Sequence, residues 1–254
     1  MIDVHCHIHD EVFDNDREEV ISRAKEKGVK HIIISAVKPE EVSKALNIVN
    51  SFKEYMSLTI GHDPVIVSDE VFEEQLKNVK KYLDIIVGIG EAGLDYYFVR
   101  DHGERDRQRR IFALWINVAK ELDLPLVIHS RSAGKYAIEI LLEQKYFNVV
   151  MHAYDGSVGW AIEAAKHGVY FSIPPSVIFS IQKQKLVRKL PLENLLLETD
   201  SPVLSPIRGE RNEPANIVYS AMKIAEIKNI SLSKVIDATI ENTLDVFKKL
   251  KLQI

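Results

Sequence analysis

Eight short apolar runs rich in β-branched residues recur along the chain, and the stretches between them return apolar positions every three or four residues. The runs are Ile2 to Val4, His31 to Ser35, Met56 to Ile60, Ile85 to Ile89, Leu126 to Ile128, Val149 to Met151, Val169 to Ser172 and Leu195 to Leu197. The helical period predicts helices around 16–28, 39–51, 68–82, 104–122, 132–144, 157–167 and 178–189, with two more at 215–228 and 231–250. Runs this apolar at consecutive positions suit strands covered on both faces, which implies a parallel sheet layered with helices. Eight of them favour closure into a (β/α)8 barrel of the TIM type, with an extra C-terminal helix, over an open doubly wound sheet. Gly28 and Gly168 stand where two helices should end in a left-handed residue. The longest irregular stretch, Thr199 to Pro214, is a functional candidate because long loops in compact domains are seldom idle.

Length and composition narrow the classes. A chain of 254 residues is close to the size of one α/β barrel, so residues 1–254 are read as a single domain. A formal charge of −4 gives no global basic field, so any nucleic-acid contact has to be local. Cys6 is the only cysteine, which excludes an intrachain disulfide and a thiolate metal cluster and fits a reducing, cytoplasmic compartment. The start, MIDVHCHIH, has no basic segment followed by an apolar core, and no run approaches the roughly 18 apolar residues of a membrane span. The expectation is a soluble, unprocessed monomer.

Chemistry enters at the ends of the strands. His5 and His7 are two residues apart at the end of the first run, so a strand there points both imidazoles to one face, with Cys6 opposite as a small buried residue. Glu91 ends the fourth strand, His129 the fifth, His152 the sixth and Asp200 the eighth. In a barrel the C-terminal strand ends share one rim, where the βα loops assemble active sites. Any one of these side chains could be a helix cap or a paired polar group; six at one rim imply a metal centre. Imidazole and carboxylate donors without thiolate suit zinc, manganese, magnesium or iron alike. Two ions roughly 3.5–4 Å apart would clamp an in-line displacement.

The segments DVHCHIH, GEAGLDYY, VIHSR, MHAYDG, ETDSP and RGERNEP, with a closing Asn242 to Phe247, together resemble the TatD family of metal-dependent hydrolases across nearly the whole chain. The resemblance implies a distorted barrel and a divalent-metal-dependent nuclease that trims DNA or RNA from the 3′ end. It also implies one metal on His5, His7 and Asp200, the other on His129 and His152, and Glu91 between them. Glu91 and Asp200 are then the catalytic pair, with Asp200 doubling as general base on a metal-activated water. Substrate contacts are expected from Arg131, two residues beyond His129, and from Arg208, Arg211 and Asn212 in the long loop.

Two departures mark this chain. Where the family usually shows G-x-H-P-H, it reads Gly61-His62-Asp63-Pro64-Val65, which moves the histidine one position and offers Asp63 in its place. Where relatives commonly show H-C-F-[ST]-G, it reads His152-Ala153-Tyr154-Asp155-Gly156. Glu198 is expected to support the ligands from behind. Asp95, Tyr96 and Tyr97 could face a nucleobase or pack under the loop. Arg105, Arg107, Arg109 and Arg110 alternate with acids on one helix and read as a solvated face, while His31, His102 and His167 read as packing or surface residues.

A deoxyribonuclease acting on single-stranded or frayed 3′ ends, and on RNA as well, is the favoured reading. An amidohydrolase, esterase, lactonase or aminoacyl-ester deacylase would use the same ligands on another substrate. A non-catalytic metal scaffold for partner binding ranks last, since mixed His/carboxylate sites at a barrel mouth usually keep a coordination position open.

Overall fold

The protein is described from a computed structural model covering residues 1–252. Eight parallel strands follow one another in chain order around a (β/α)8 barrel: β1 (Ile2–Cys6), β2 (His31–Ala36), β3 (Met56–Ile60), β4 (Ile86–Gly93), β5 (Leu126–His129), β6 (Val149–Met151), β7 (Tyr170–Ile173) and β8 (Leu195–Leu197). Helices α1 (Arg17–Glu26), α2 (Pro39–Ser51), α3 (Asp69–Lys81), α4 (His102–Leu122), α5 (Gly134–Gln144), α6 (Val158–Lys166) and α7 (Ile181–Lys189) alternate with the strands, and α8 (Ile217–Lys228) and α9 (Leu232–Val246) complete the fold. Gly28 and Gly168 take positive φ values of 78° and 88° beyond α1 and α6, as their positions in the sequence predict.

Two packed layers explain the consecutive apolar positions. Ile32, Ile34, Leu58, Ile60, Leu126 and Ile128 join Phe112, Trp115, Ile138 and Leu141 of the helices in the larger core. Ile2, Val4, Ile33, Val87, Val127, Val150 and Leu196 form the second core, sealed by Val246, Phe247 and Leu250. The helical period of the sequence extends to residue 250, yet α9 stops at Val246. Phe247 and Leu250 leave the helix and bury themselves with the second core, a gain that outweighs another turn of helix.

The seam between β1 and β8 is closed beyond the end of β8. Asp200 N–H donates to the His5 carbonyl at 2.9 Å, and His7 N–H donates to the Ser201 carbonyl at 2.8 Å. Behind them the buried Asp3 carboxylate accepts the Thr199 N–H at 2.8 Å and the Thr199 hydroxyl. Burial pushes the Asp3 carboxyl up to about 8, opposed by those hydrogen bonds. Among the described residues no helix is long and apolar enough to cross a membrane.

Candidate metal centre

The six ligand candidates reach one rim because they stand at or just beyond the C-terminal ends of their strands, and β1 and β4 are locally adjusted to deliver theirs. The β1–β2 register shifts between Asp3 and Cys6, just where His5 and His7 must both turn inward. Cys6, between them, packs into the larger core, and burial pushes its thiol up, so it is no nucleophile. β4 runs four residues past Ile89, and its register on β5 shifts between Ile89 and Ala92, which brackets Glu91. At Gly61 the neighbouring backbone passes so close that a Cβ would lie 2.1 Å from the Glu91 carbonyl oxygen, and the His62 N–H donates to that same oxygen at 2.7 Å. Asp200 adopts a left-handed φ of 54°, a conformation costing about 1–2 kcal/mol outside glycine but easier for Asp, and its bond to the His5 carbonyl holds it there.

The side-chain atoms converge in two groups. His5 Nε2 and His7 Nε2 each lie 3.6 Å from Asp200 Oδ1. His152 Nε2 is 2.9 Å from Glu91 Oε2, and His129 Nδ1 is 3.2 Å from His152 Nε2 and 3.7 Å from Glu91 Oε2. His5 Nε2 is also 3.3 Å from Glu91 Oε2, so the groups touch through His5 and Glu91. His5, His7 and Asp200, and likewise His5, Glu91 and His152, offer donor atoms within 4.8 Å of one another. His5 Nε2 and Glu91 Oε2 are buried without a hydrogen bond. Orphaned polar atoms of that kind cost about 1–3 kcal/mol each, and a divalent cation at the common focus would satisfy both.

Two of the four outer nitrogens, those of His7 and His129, are hydrogen-bonded from behind. His7 Nδ1 donates to the Ser35 carbonyl at 3.0 Å, His129 Nε2 donates to Asp95 Oδ2 at 3.0 Å, and His152 Nδ1 faces Glu198 Oε2 at 3.5 Å. Glu198, fully buried, also accepts the Ala153 N–H at 2.7 Å and the Ser172 hydroxyl at 2.6 Å. Glu198 therefore stands where its spacing suggests. The role of Asp95 is not visible in the sequence, where it is one acid in a loop. Burial opposes a proton on His129, yet Glu91 and Asp95 raise it to about 9, and Glu91 with Glu198 raises His152 as well. Glu91 and Asp200 are held below the usual carboxylate range by the same histidines against their burial. A field that holds protons on imidazoles is one that holds cations, and metal binding displaces those protons.

A cleft of about 580 Å³ is lined by His7, Glu91, His129, His152 and Asp200, with His5 buried out of its wall, and further by Asp10, Ser130, Arg131, Asp155, Lys183 and the 202–204 loop. Arg131 is at its exposed edge with its guanidinium 4.1 Å above the Tyr97 ring, free to pair with an anion. The other expected contacts are placed differently. Asn212 is fully buried: its amide donates to the Thr199 and Val203 carbonyls at 2.8 Å, and its oxygen accepts from Glu213 and Asn216. It shapes the loop and does not reach the cleft. Arg211 forms a two-pronged ion pair with Asp16, at 2.8 and 2.5 Å, and tethers the loop instead of lining the metal cleft. Arg208 lies over Phe179, in an adjoining cleft.

The remaining residues resolve one by one. His62 is buried with Nε2 2.5 Å from the Ile66 carbonyl and its ring edge-on to Trp115, turned away from the centre. Asp63, in its stead, stays within electrostatic reach of Glu91 and His129. Tyr96 is buried and accepts from Arg109, whereas Tyr97 is exposed. Arg105, Arg107, Arg109 and Arg110 are engaged with Val99, Glu104, Tyr96 and Asp69 and lie outside the centre. Lys183 carries no signal in the sequence, yet it lines the cleft and donates to the Ala153 carbonyl at 3.0 Å.

Comparison with known proteins bears on the family and the fold. The TatD related DNase family model matches residues 2–248. The deoxyribonuclease TATDN3 of Homo sapiens is 38% identical, with 99% of this chain and 96% of that protein covered. The uncharacterized metal-dependent hydrolase YabD of Bacillus subtilis is 35% identical, covering 98% of this chain and 99% of its own. Among solved structures, the TatD homologue YJJV of Escherichia coli superposes with a TM-score of 0.90 at 25% identity, over 98% of both chains.

Proposed function

Since the chain belongs to the TatD related DNase family and is a metal-dependent hydrolase, we propose that it removes nucleotides from the 3′ end of single-stranded or frayed DNA, and of RNA, with two divalent ions per chain. The observation that carries this reading is the meeting of two donor groups through the buried His5 and Glu91, with Glu91, His7, His129, His152 and Asp200 facing an open cleft. His5, His7 and Asp200 would hold one ion, His129 and His152 the other, and Glu91 would be shared. Bound there, divalent ions supply charge against the phosphoryl oxygens and acidify water. Asp200 accepts the proton of the attacking water through a carboxylate oxygen and returns it to the departing oxygen. Arg131 pairs with a non-bridging phosphate oxygen, a geometry that suits the guanidinium fork.

The deciding experiment is hydrolysis of 5′-labelled and 3′-labelled single-stranded DNA by wild type and Asp200→Asn, with and without manganese or magnesium. Metal-dependent release of 3′ mononucleotides by wild type alone is expected. Intact DNA alongside bound metal would move the substrate to carboxylic esters and amides. Metal analysis of two variants checks the ligand division: Glu91→Gln should weaken both sites, and His152→Ala mainly one.

A further inference from the structure

The metal cleft continues into a second cleft of about 780 Å³, and the two share Lys183, Pro202, Val203 and Leu204 as a common wall. The second cleft has a largely apolar floor, with Phe179 and Ile207 exposed on it. Arg208 lies with its guanidinium 4.7 Å above the Phe179 ring, and its charge has no acidic partner within salt-bridge distance among the described residues. Lys183 occupies the junction. Its ammonium has three hydrogens, of which the Ala153 carbonyl takes one at 3.0 Å, and no other hydrogen bond is formed among the described residues. Burial lowers the Lys183 pKa, and the nearby Glu198, Asp155 and Asp200 carboxylates act against that shift. Cations alternating with a stacking platform are how single strands are held without sequence preference.

We propose that this second cleft is the subsite for the retained strand: Lys183 contacts the backbone phosphate at the junction, Phe179 stacks a base and Arg208 pairs with the next phosphate. The assignment rests on the nuclease reading above. A departing mononucleotide needs only the metal cleft; an extended neighbouring cleft serves only a polymer. Lys183 is thus a binding residue shared by both clefts, and the 202–204 loop is the ridge the strand crosses.

The test compares KM for dT8 and dT2 on metal-loaded enzyme, in wild type, Phe179→Ala, Arg208→Gln and Lys183→Arg, with melting curves confirming that each variant folds. Wild type should show a KM lower for dT8 than for dT2 by about tenfold or more, and Phe179→Ala should remove most of that difference, as loss of one stacked base does. Arg208→Gln should reduce the salt slope of log kcat/KM by about 0.7, the signature of one lost single-strand phosphate contact. Lys183→Arg should retain the length preference, because the charge remains. Anisotropy of fluorescein-labelled phosphorothioate dT8 on metal-loaded protein should weaken in parallel, a binding readout independent of turnover. Phe98→Ala, at a more exposed aromatic beside Arg131, serves as control. An unchanged length preference in Phe179→Ala together with an unchanged salt slope in Arg208→Gln would overturn the subsite, as would loss of the preference in Phe98→Ala alone. Wild-type enzyme that leaves both oligonucleotides intact would remove the nuclease reading and this subsite together.

Discussion

Asp95 shows how a residue outside the ligand set governs it. Its Oδ2 takes the Nε2 proton of His129 at 3.0 Å, which leaves Nδ1 as the lone pair facing Glu91 and His152. Backbone N–H groups of Tyr97 and Phe98, at 3.0 and 2.8 Å, hold the Asp95 carboxylate still in turn. Asp95→Asn keeps the shape and removes the charge, so metal affinity should fall about 10–100-fold while the melting temperature changes little. Competition with a graded chelator measures this, and an unchanged affinity would show that His129 orients itself. A second residue speaks to pH. His31 is buried against Ser57, and burial lowers its pKa to about 4, so the folded protein keeps it neutral. Below about 6.5 the unfolded chain takes a proton that the folded chain refuses, and stability is lost as pH falls from 6.5 towards 4, by about 3 kcal/mol in all. Measured across that window, wild type should lose about 3 kcal/mol more stability than His31→Gln; parallel curves would contradict it.

At the scale of elements, the ligand strands depend on how closely their neighbours approach. Gly61→Ala places a methyl where the backbone of Gly90 and Glu91 already stands, and backbone cannot step aside as a side-chain tip can. The variant should lose metal affinity by about tenfold or more although no ligand is altered. Isothermal titration with manganese would show it, and wild-type affinity would mean that β3 yields instead of β4. The same strand shows what the sequence can and cannot convey. Its apolar run to Ile89 is legible, but Gly90 to Gly93 has no alternation, so the extension that carries Glu91 past the core does not register as strand. The six candidate ligands could be singled out because each is a chemically marked residue within three positions of the end of an apolar run. Asp3 and Lys183 were not, because their partners Thr199 and Ala153 come from distant segments and only the closed barrel brings them together. Asn212 and Arg211 were misplaced for a related reason: residue types that suit phosphate equally suit the Thr199 carbonyl and the Asp16 carboxylate.

Across the whole molecule, polar and apolar work are assigned to opposite ends of one barrel. The rim holds imidazoles and carboxylates whose unpaired atoms burden the fold, and the base holds Ile2, Val4, Val87, Val127 and Leu196 under Phe247. Phe247 is completely buried, and its ring meets the position a Cβ on Gly88 would occupy at 3.3 Å, so β4 is the surface it presses on. Phe247→Ala should cost about 3–5 kcal/mol, the usual range for a buried aromatic, and lower the melting temperature by about 10 °C in a chain of this size. The same change should leave manganese affinity at 25 °C near wild type, because none of the metal-facing hydrogen bonds involves the base. Asp95→Asn should give the reverse pair of results. Measured together, melting and metal titration on the two variants form a cross: if Phe247→Ala also emptied the metal centre, the two ends of the barrel would be coupled through the strands, and the loss of α9's seal would be felt along the full length of β4.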